Sequence, residues 1–193
     1  MEDSEEMQVK ELLMKSPDHM RSAIAIESSI NEVKRDLLER VFKEIENKVE
    51  ENKLNNEYDY ESSNSKKIND FYRYSSKFSY PGISYLYKSN LTKDIDIWVR
   101  FEIEWGPYIG FCTSKEGKLV EDVFSDQQIE KLFNVEAIND GHWLYYEWLP
   151  ENDEDVCPDF KSLDDYYLNL YADKNFDDFT TACANKIKEF LSK

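Results

Sequence analysis

The sequence predicts an α+β fold: an antiparallel sheet of about four or five strands with helices on one face, preceded by a long N-terminal helix. Three patterns carry that expectation. Apolar residues recur every three or four positions from Ile26 to Val49, the period of a helix with one buried face. From Asp94 to Trp105 they alternate with charged residues, the period of a strand half in the core. A second helical period, Phe179, Cys183, Ile187, Phe190 and Leu191, closes the chain.

Taken in order, Ser16-Pro17-Asp18 is a helix start, with Ser16 as cap and Pro17 at the first helical position, where its missing N–H costs nothing. Ile26, Ile30, Val33, Leu37, Val41, Ile45 and Val49 form the apolar stripe, widened by Met20, Ile24, Leu38 and Phe42. At ~1.5 Å per residue the helix is a rod of roughly 50 Å, longer than a small domain's core. Part of the stripe is free to pair with residues 4 to 15 (Met7, Leu12, Leu13, Met14), with the sheet, or with a second copy of the chain as a homodimer.

Residues 51 to 70 hold three Ser and five Asn without an apolar period and read as a polar linker or loop. The expected division is therefore 1–50 as a helical segment, 51–70 as the linker and 71–193 as the α+β domain. Within it, Ile95, Ile97, Val99, Phe101, Ile103 and Trp105 mark the core face of the clearest strand, and Asp94, Asp96, Arg100, Glu102 and Glu104 its other face, with Trp98 the exception. Gly106-Pro107 turns the chain into a second strand, Tyr108 to Thr113, as a hairpin. Residues 79–87 and 143–149 supply two more aromatic strands, Ser125 caps a short helix carrying Ile129, Leu132 and Phe133, and the closing helix starts near Asp177.

Charge is the most uneven property. Residues 121–180 carry 17 Asp and Glu against three Lys, a local net of −14 in a chain of −17. Such a surface repels phosphates and lipid headgroups and attracts basic proteins, so direct nucleic-acid binding and membrane contact are not expected. The 28 aromatics supply too much core material for a disordered acidic tail. Cys112, Cys157 and Cys183 are odd in number and widely spaced, which suits neither a zinc site nor a disulfide framework. The N-terminal Met1-Glu2-Asp3-Ser4-Glu5-Glu6 is acidic where a secretory signal is basic then apolar, and no run approaches the ~20 apolar residues of a membrane helix. A cytoplasmic location is the expectation, and Asn90-Leu91-Thr92 is then a chance match to a glycosylation acceptor.

Several constellations invite a chemical reading. Asp94, Asp96, Glu102 and Glu104 could hold Mg²⁺ or share acid–base work, but alternation alone gives the same pattern on the solvated face of an antiparallel sheet, and that is the expectation. Trp98, a large ring among these charges, marks a contact surface or a residue under a covering element. Glu116-Gly117-Lys118 has the E-x-K form of a metal-dependent nuclease strand, yet its surroundings are those of a hairpin turn. His19 and His142 are the only imidazoles, both expected at the surface and neither with a Ser or Cys partner at a recognised spacing. No glycine-rich phosphate loop is present, and no cofactor or metal is expected. Lys66, Lys67, Arg73 and Lys77 interleave with Phe71, Tyr72, Tyr74, Phe78 and Tyr80 in a stretch that suits single-stranded nucleic acid or, more simply, a strand approach balancing acidic neighbours.

The remaining candidates are acids. Glu151, Asp153, Glu154, Asp155 and Asp159 cluster in one loop, with Glu121, Asp122 and Asp126 before it and Asp164, Asp165, Asp173, Asp177 and Asp178 after. Gathered on one surface, such carboxylates compete for a basic nucleic-acid groove and gain the counterion release that drives DNA binding. A merely solubilising surface has the same composition.

Trp98 to Glu104, Tyr108-Ile109-Gly110-Phe111, the strand Trp143 to Trp148, Phe160-Lys161-Ser162-Leu163 and Lys186-Ile187-Lys188-Glu189-Phe190-Leu191 together resemble the C-terminal accessory region of certain large bacterial proteins of the PD-(D/E)XK nuclease superfamily. A similar long helix precedes that region. The resemblance covers about half the chain; the family's catalytic core lies upstream of it, and none of its catalytic residues maps onto this sequence. Two function classes follow. The first is a non-catalytic acidic module that inhibits or regulates a basic, nucleic-acid-acting protein, as a DNA mimic of the phage or mobile-element type, with Glu151, Asp153, Glu154, Asp155, Asp159, Asp164, Asp165 and Trp98 as its contact residues. The alternative is a metal-dependent nuclease or a detached nuclease accessory domain, with Glu102, Glu104, Glu116 and Lys118 as the candidate residues.

Overall fold

A computed structural model describes residues 2–50, 60–61, 65–73, 80–92, 94–149 and 157–193. The fold is α+β, with a long N-terminal helix and an antiparallel sheet. The chain forms two compact units, Met1–Leu38 and Glu39–Lys193.

In the first unit, α1 (Glu2–Met14) is followed by the start of α2 (Pro17–Glu50). Ser16 Oγ accepts from the His19 N–H at 3.2 Å, the cap expected from Ser16-Pro17. His19 is exposed, and its Nδ1 lies 2.9 Å from the Leu12 carbonyl oxygen, to which it donates. Met20, Ile24, Ile26, Ile30 and Val33 are exposed, whereas Leu37 and Leu38 are buried.

In the second unit, six strands form one sheet: β1 (Tyr60–Glu61), β2 (Gly82–Thr92), β3 (Ile95–Ile103), β4 (Pro107–Lys115), β5 (Lys118–Leu119) and β6 (Trp143–Trp148). They pair antiparallel in the order β1-β2-β3-β4, with β5 and β6 both against β4. Four are long and two are only two residues. Within the interval expected to be a linker lie β1 and the start of α3 (Ser65–Arg73). The expected strand approach at Phe71 is thus helical; Lys77 and Phe78 fall outside the described residues. The helices α4 (Asp126–Phe133), α5 (Asp165–Asn169) and α6 (Asp173–Ser192) complete the order.

Register decides which side chains share a face, because directly opposed residues point the same way. Val99 opposes Phe111 and Phe101 opposes Ile109, so these residues share one face. Against it lie Phe42 of α2, edge-on to Phe101 at 6.1 Å, Phe133 of α4, stacked on Phe111 at 4.0 Å, and Phe190 of α6, 5.1 Å from Phe111. This is the core. Helices therefore cover the odd-numbered face of β3, as the alternation predicts. Gly110 permits the close passage of β6, since a Cβ there would come 2.1 Å from the Tyr145 carbonyl oxygen. Glu116 and Gly117 both take positive φ in the tight β4–β5 turn, the backbone that such a hairpin needs. Cys112, Cys157 and Cys183 are buried and are not joined in disulfides, and no described helix is long and apolar enough to cross a membrane.

Candidate protein-binding surface

The even-numbered face of β3 departs most from its sequence pattern. Arg100 and Glu102, expected in solvent, are each only 6% exposed. The Arg100 Nε donates to Glu102 Oε1 at 2.5 Å and Nη1 to Ser84 Oγ at 2.7 Å, while the Tyr108 hydroxyl donates to Glu102 Oε2 at 2.5 Å. Burial works against the charge on Arg100, and Glu102 beside it more than restores it, so the guanidinium pKa is raised. The reason for the difference is aromatic cover: Tyr108, Cys112 and Trp143 form a buried cluster on which Trp98, Tyr146 and Trp148 pack. Charge alternation signals a solvated face only when no rings stand in the neighbouring strands.

Trp98 lies in this layer, half-buried, its indole N–H donating to Ser114 Oγ at 2.8 Å. Trp105, predicted on the core face, lies beyond the end of β3, is 42% exposed and stacks on Trp148 at 4.6 Å. Trp98, Trp143 and Trp148 thus share one face of the sheet, the face opposite the helices, with Trp98 and Trp143 towards one end of it and Trp148, stacked on Trp105, at the other. Glu104 accepts from the Tyr80 hydroxyl at 2.5 Å; burial first, and that carboxylate second, push the Tyr80 pKa up to about 12.

Next to this layer is an acidic turn. Asn139 Nδ2 donates to Asp126 Oδ1 at 2.9 Å, Glu121 Oε1 lies 3.7 Å from where a Gly141 Cβ would stand, and Asp140 exchanges both backbone hydrogen bonds with Trp143 at 3.0 Å. Glu121, Asp122, Asp126, Glu130, Glu136 and Asp140 are all exposed, and none is ion-paired with a described Lys or Arg. His142, expected at the surface, is half-buried beside Trp143 at 5.2 Å, with Nε2 buried and without a hydrogen-bond partner among the described residues. Burial lowers its pKa, with Glu102, Glu121 and Asp140 pulling the other way.

The acids singled out by the sequence divide into three groups. Glu151, Asp153, Glu154 and Asp155 lie outside the described residues. The chain leaves at Leu149, whose N–H donates to the Pro107 carbonyl, and re-enters at Cys157, whose Sγ stands beside Gly106. Asp159 and Asp164 hold backbone: Asp159 Oδ1 accepts from the Lys161 and Ser162 N–H groups at 2.8 Å, and Asp164 Oδ1 from Tyr167 at 2.7 Å and Asp159 at 3.1 Å. For Asp159 burial acts to raise the pKa, but the Ser162 and Lys161 hydrogen bonds prevail and hold it low. Asp165 is exposed in the first turn of α5. Farther on, Asp177 pairs with Lys48 at 2.5 Å, Asp173 with Arg40 at 3.4 Å and Asp178 with Lys174. The acids of α6 are therefore partly neutralised, and those around Asn139–Gly141 are not.

The four nuclease candidates are not brought together. Glu102 is sealed against Tyr108 near the start of β4, and Glu116 and Lys118 flank the turn after its other end, roughly 25 Å away at about 3.3 Å per residue. Among the described residues no group of three His, Cys, Asp or Glu side chains is placed to hold a metal. Sequence reasoning missed the Arg100–Glu102–Tyr108 network and the acidic turn's border with it. The signal available was Tyr108 in β4, beside the strand of Arg100, and Trp143, Tyr146 and Trp148 in β6, one strand beyond. No family model matches the chain, and no curated protein or solved structure matches it either.

Proposed function

We propose that this chain is a non-catalytic acidic binding module that docks on a basic, nucleic-acid-acting protein and inhibits or regulates it, occupying the surface that nucleic acid would take. A phage or mobile element acting against a host nuclease is the setting that suits such a module. The observation that carries the reading is the acidic stretch from Glu121 to Asp140: its six carboxylates are exposed with no cation paired to them among the described residues, and Glu121, Asp126 and Asp140 meet at the Asn139–Gly141 turn. Unpaired surface carboxylates cost little in the free protein and gain most when a cationic surface replaces their counterions. The other partner in this reading is a second copy of the chain, held through the exposed stretch of the α2 stripe at Ile26, Ile30 and Val33.

The test is capture of a partner from host lysate at low salt, followed by competition. The expected partner is basic, elutes as salt rises, and is displaced by duplex DNA. A captured protein that holds on in high salt and ignores DNA would end the mimicry reading.

A further inference from the structure

We infer that the apolar centre of the partner interface is the tryptophan-rich outer face of the sheet, and that it seats an arginine-rich segment of the basic partner; this rests on the acidic-docking reading above. Interfaces of stable complexes join an aromatic and Arg-rich centre to a charged rim, and both parts are contiguous here. The centre holds Trp98, Tyr146 and Trp148 as half-buried rings with Trp105 exposed beside them. The rim is the Asn139–Gly141 turn, with Asp140 in it and Glu121 and Asp126 beside it, and it is stitched to the centre through the paired backbones of Asp140 and Trp143.

Cations suit this surface on two counts. Indole and phenol faces attract guanidinium groups, more strongly where water is partly excluded, and the neighbouring carboxylates supply opposite charge. Arg100 does not repel such a guest, because Glu102 neutralises it. Nucleic acid is a poor occupant for the same rings, since its phosphates would meet the uncompensated turn.

Nona-arginine serves as the probe, titrated at low salt while tryptophan emission and calorimetric heat are followed on the full chain. The expected result is a saturable emission change that tracks the heat and a dissociation constant weakened at least about fivefold in Trp105→Ala; Trp105 is exposed, so that variant keeps the fold. Glu121→Gln with Asp140→Asn weakens binding as well. Heat without any emission change, or equal affinity for Trp105→Ala and wild type, overturns the aromatic seat and leaves acidic docking standing. Absence of any binding overturns both.

Discussion

Arg100 and Glu102 show how much a single buried pair depends on its neighbours. Removing one charge strands the other in a site shielded by rings, so Glu102→Gln is expected to cost about 3–5 kcal/mol, read by urea unfolding. Replacing both at once, Arg100→Met with Glu102→Leu, is expected to be near neutral, because the desolvation that the pair offsets disappears with it. His142 makes a separate prediction. Its folded pKa lies below the ordinary value of 6.5 because of burial, so below that pH the unfolded chain binds the extra proton and stability declines. Thermal midpoints of the wild type should fall as pH drops through and below about 6.5, and His142→Gln should flatten that slope; parallel curves would remove His142 as the cause. Neither environment is legible from sequence: the odd positions of β3 point to the core as the period requires, but burial of the even ones is decided by Trp143, Tyr146 and Trp148, about 45 residues downstream.

Element by element, period and caps carried most of the information. The stripe of α2, the alternation of β3 and the Gly106-Pro107 turn correspond to observed elements within a few residues. At α4, Ser125 takes the N-cap position as expected, and the side-chain closure comes from Gln128, whose Oε1 accepts from the Ser125 N–H at 2.9 Å. What sequence could not reveal is β1 and α3 in a stretch of Ser and Asn, where local pattern is too weak and pairing with β2 does the selecting. Asp164 separates structure from binding at this scale. As the cap of α5 it should cost about 1 kcal/mol when changed to Ala and much less as Asn, which keeps the acceptor. If Asp164 also meets the partner, Asp164→Asn weakens binding while the unfolding midpoint holds; loss of neither property leaves Asp164 as a cap alone. Gly110→Ala is expected to disrupt β6 pairing, seen as faster amide exchange at Tyr145 and Tyr146, because backbone stands where the methyl must go.

For the whole molecule, charge sets the terms of any association. Partner binding should weaken steeply between low and physiological salt, and the triple change Asp153→Asn, Glu154→Gln and Asp155→Asn should lower affinity further. Unchanged affinity in that variant takes the Glu151–Asp155 stretch out of the interface and leaves the turn at Asn139–Gly141 as its acidic rim. The lopsided net charge was readable in the sequence. Which acids are spent on Lys48, Lys174 and backbone N–H groups, and which stay available, depends on tertiary neighbours and was not.

The enclosed cysteines have a practical corollary. A thiol shut away from reagent reacts only when its surroundings open, and burial pushes the Cys157 pKa up to about 12, so little thiolate is present to shorten the wait. Cys112 sits in β4, Cys157 beside Gly106 and Cys183 in α6, so alkylation times at the three sites are three separate clocks on breathing motions of sheet, turn and helix. A shared time would reveal one cooperative opening; an early signal from Cys157 would reveal a turn that loosens while the sheet stays shut.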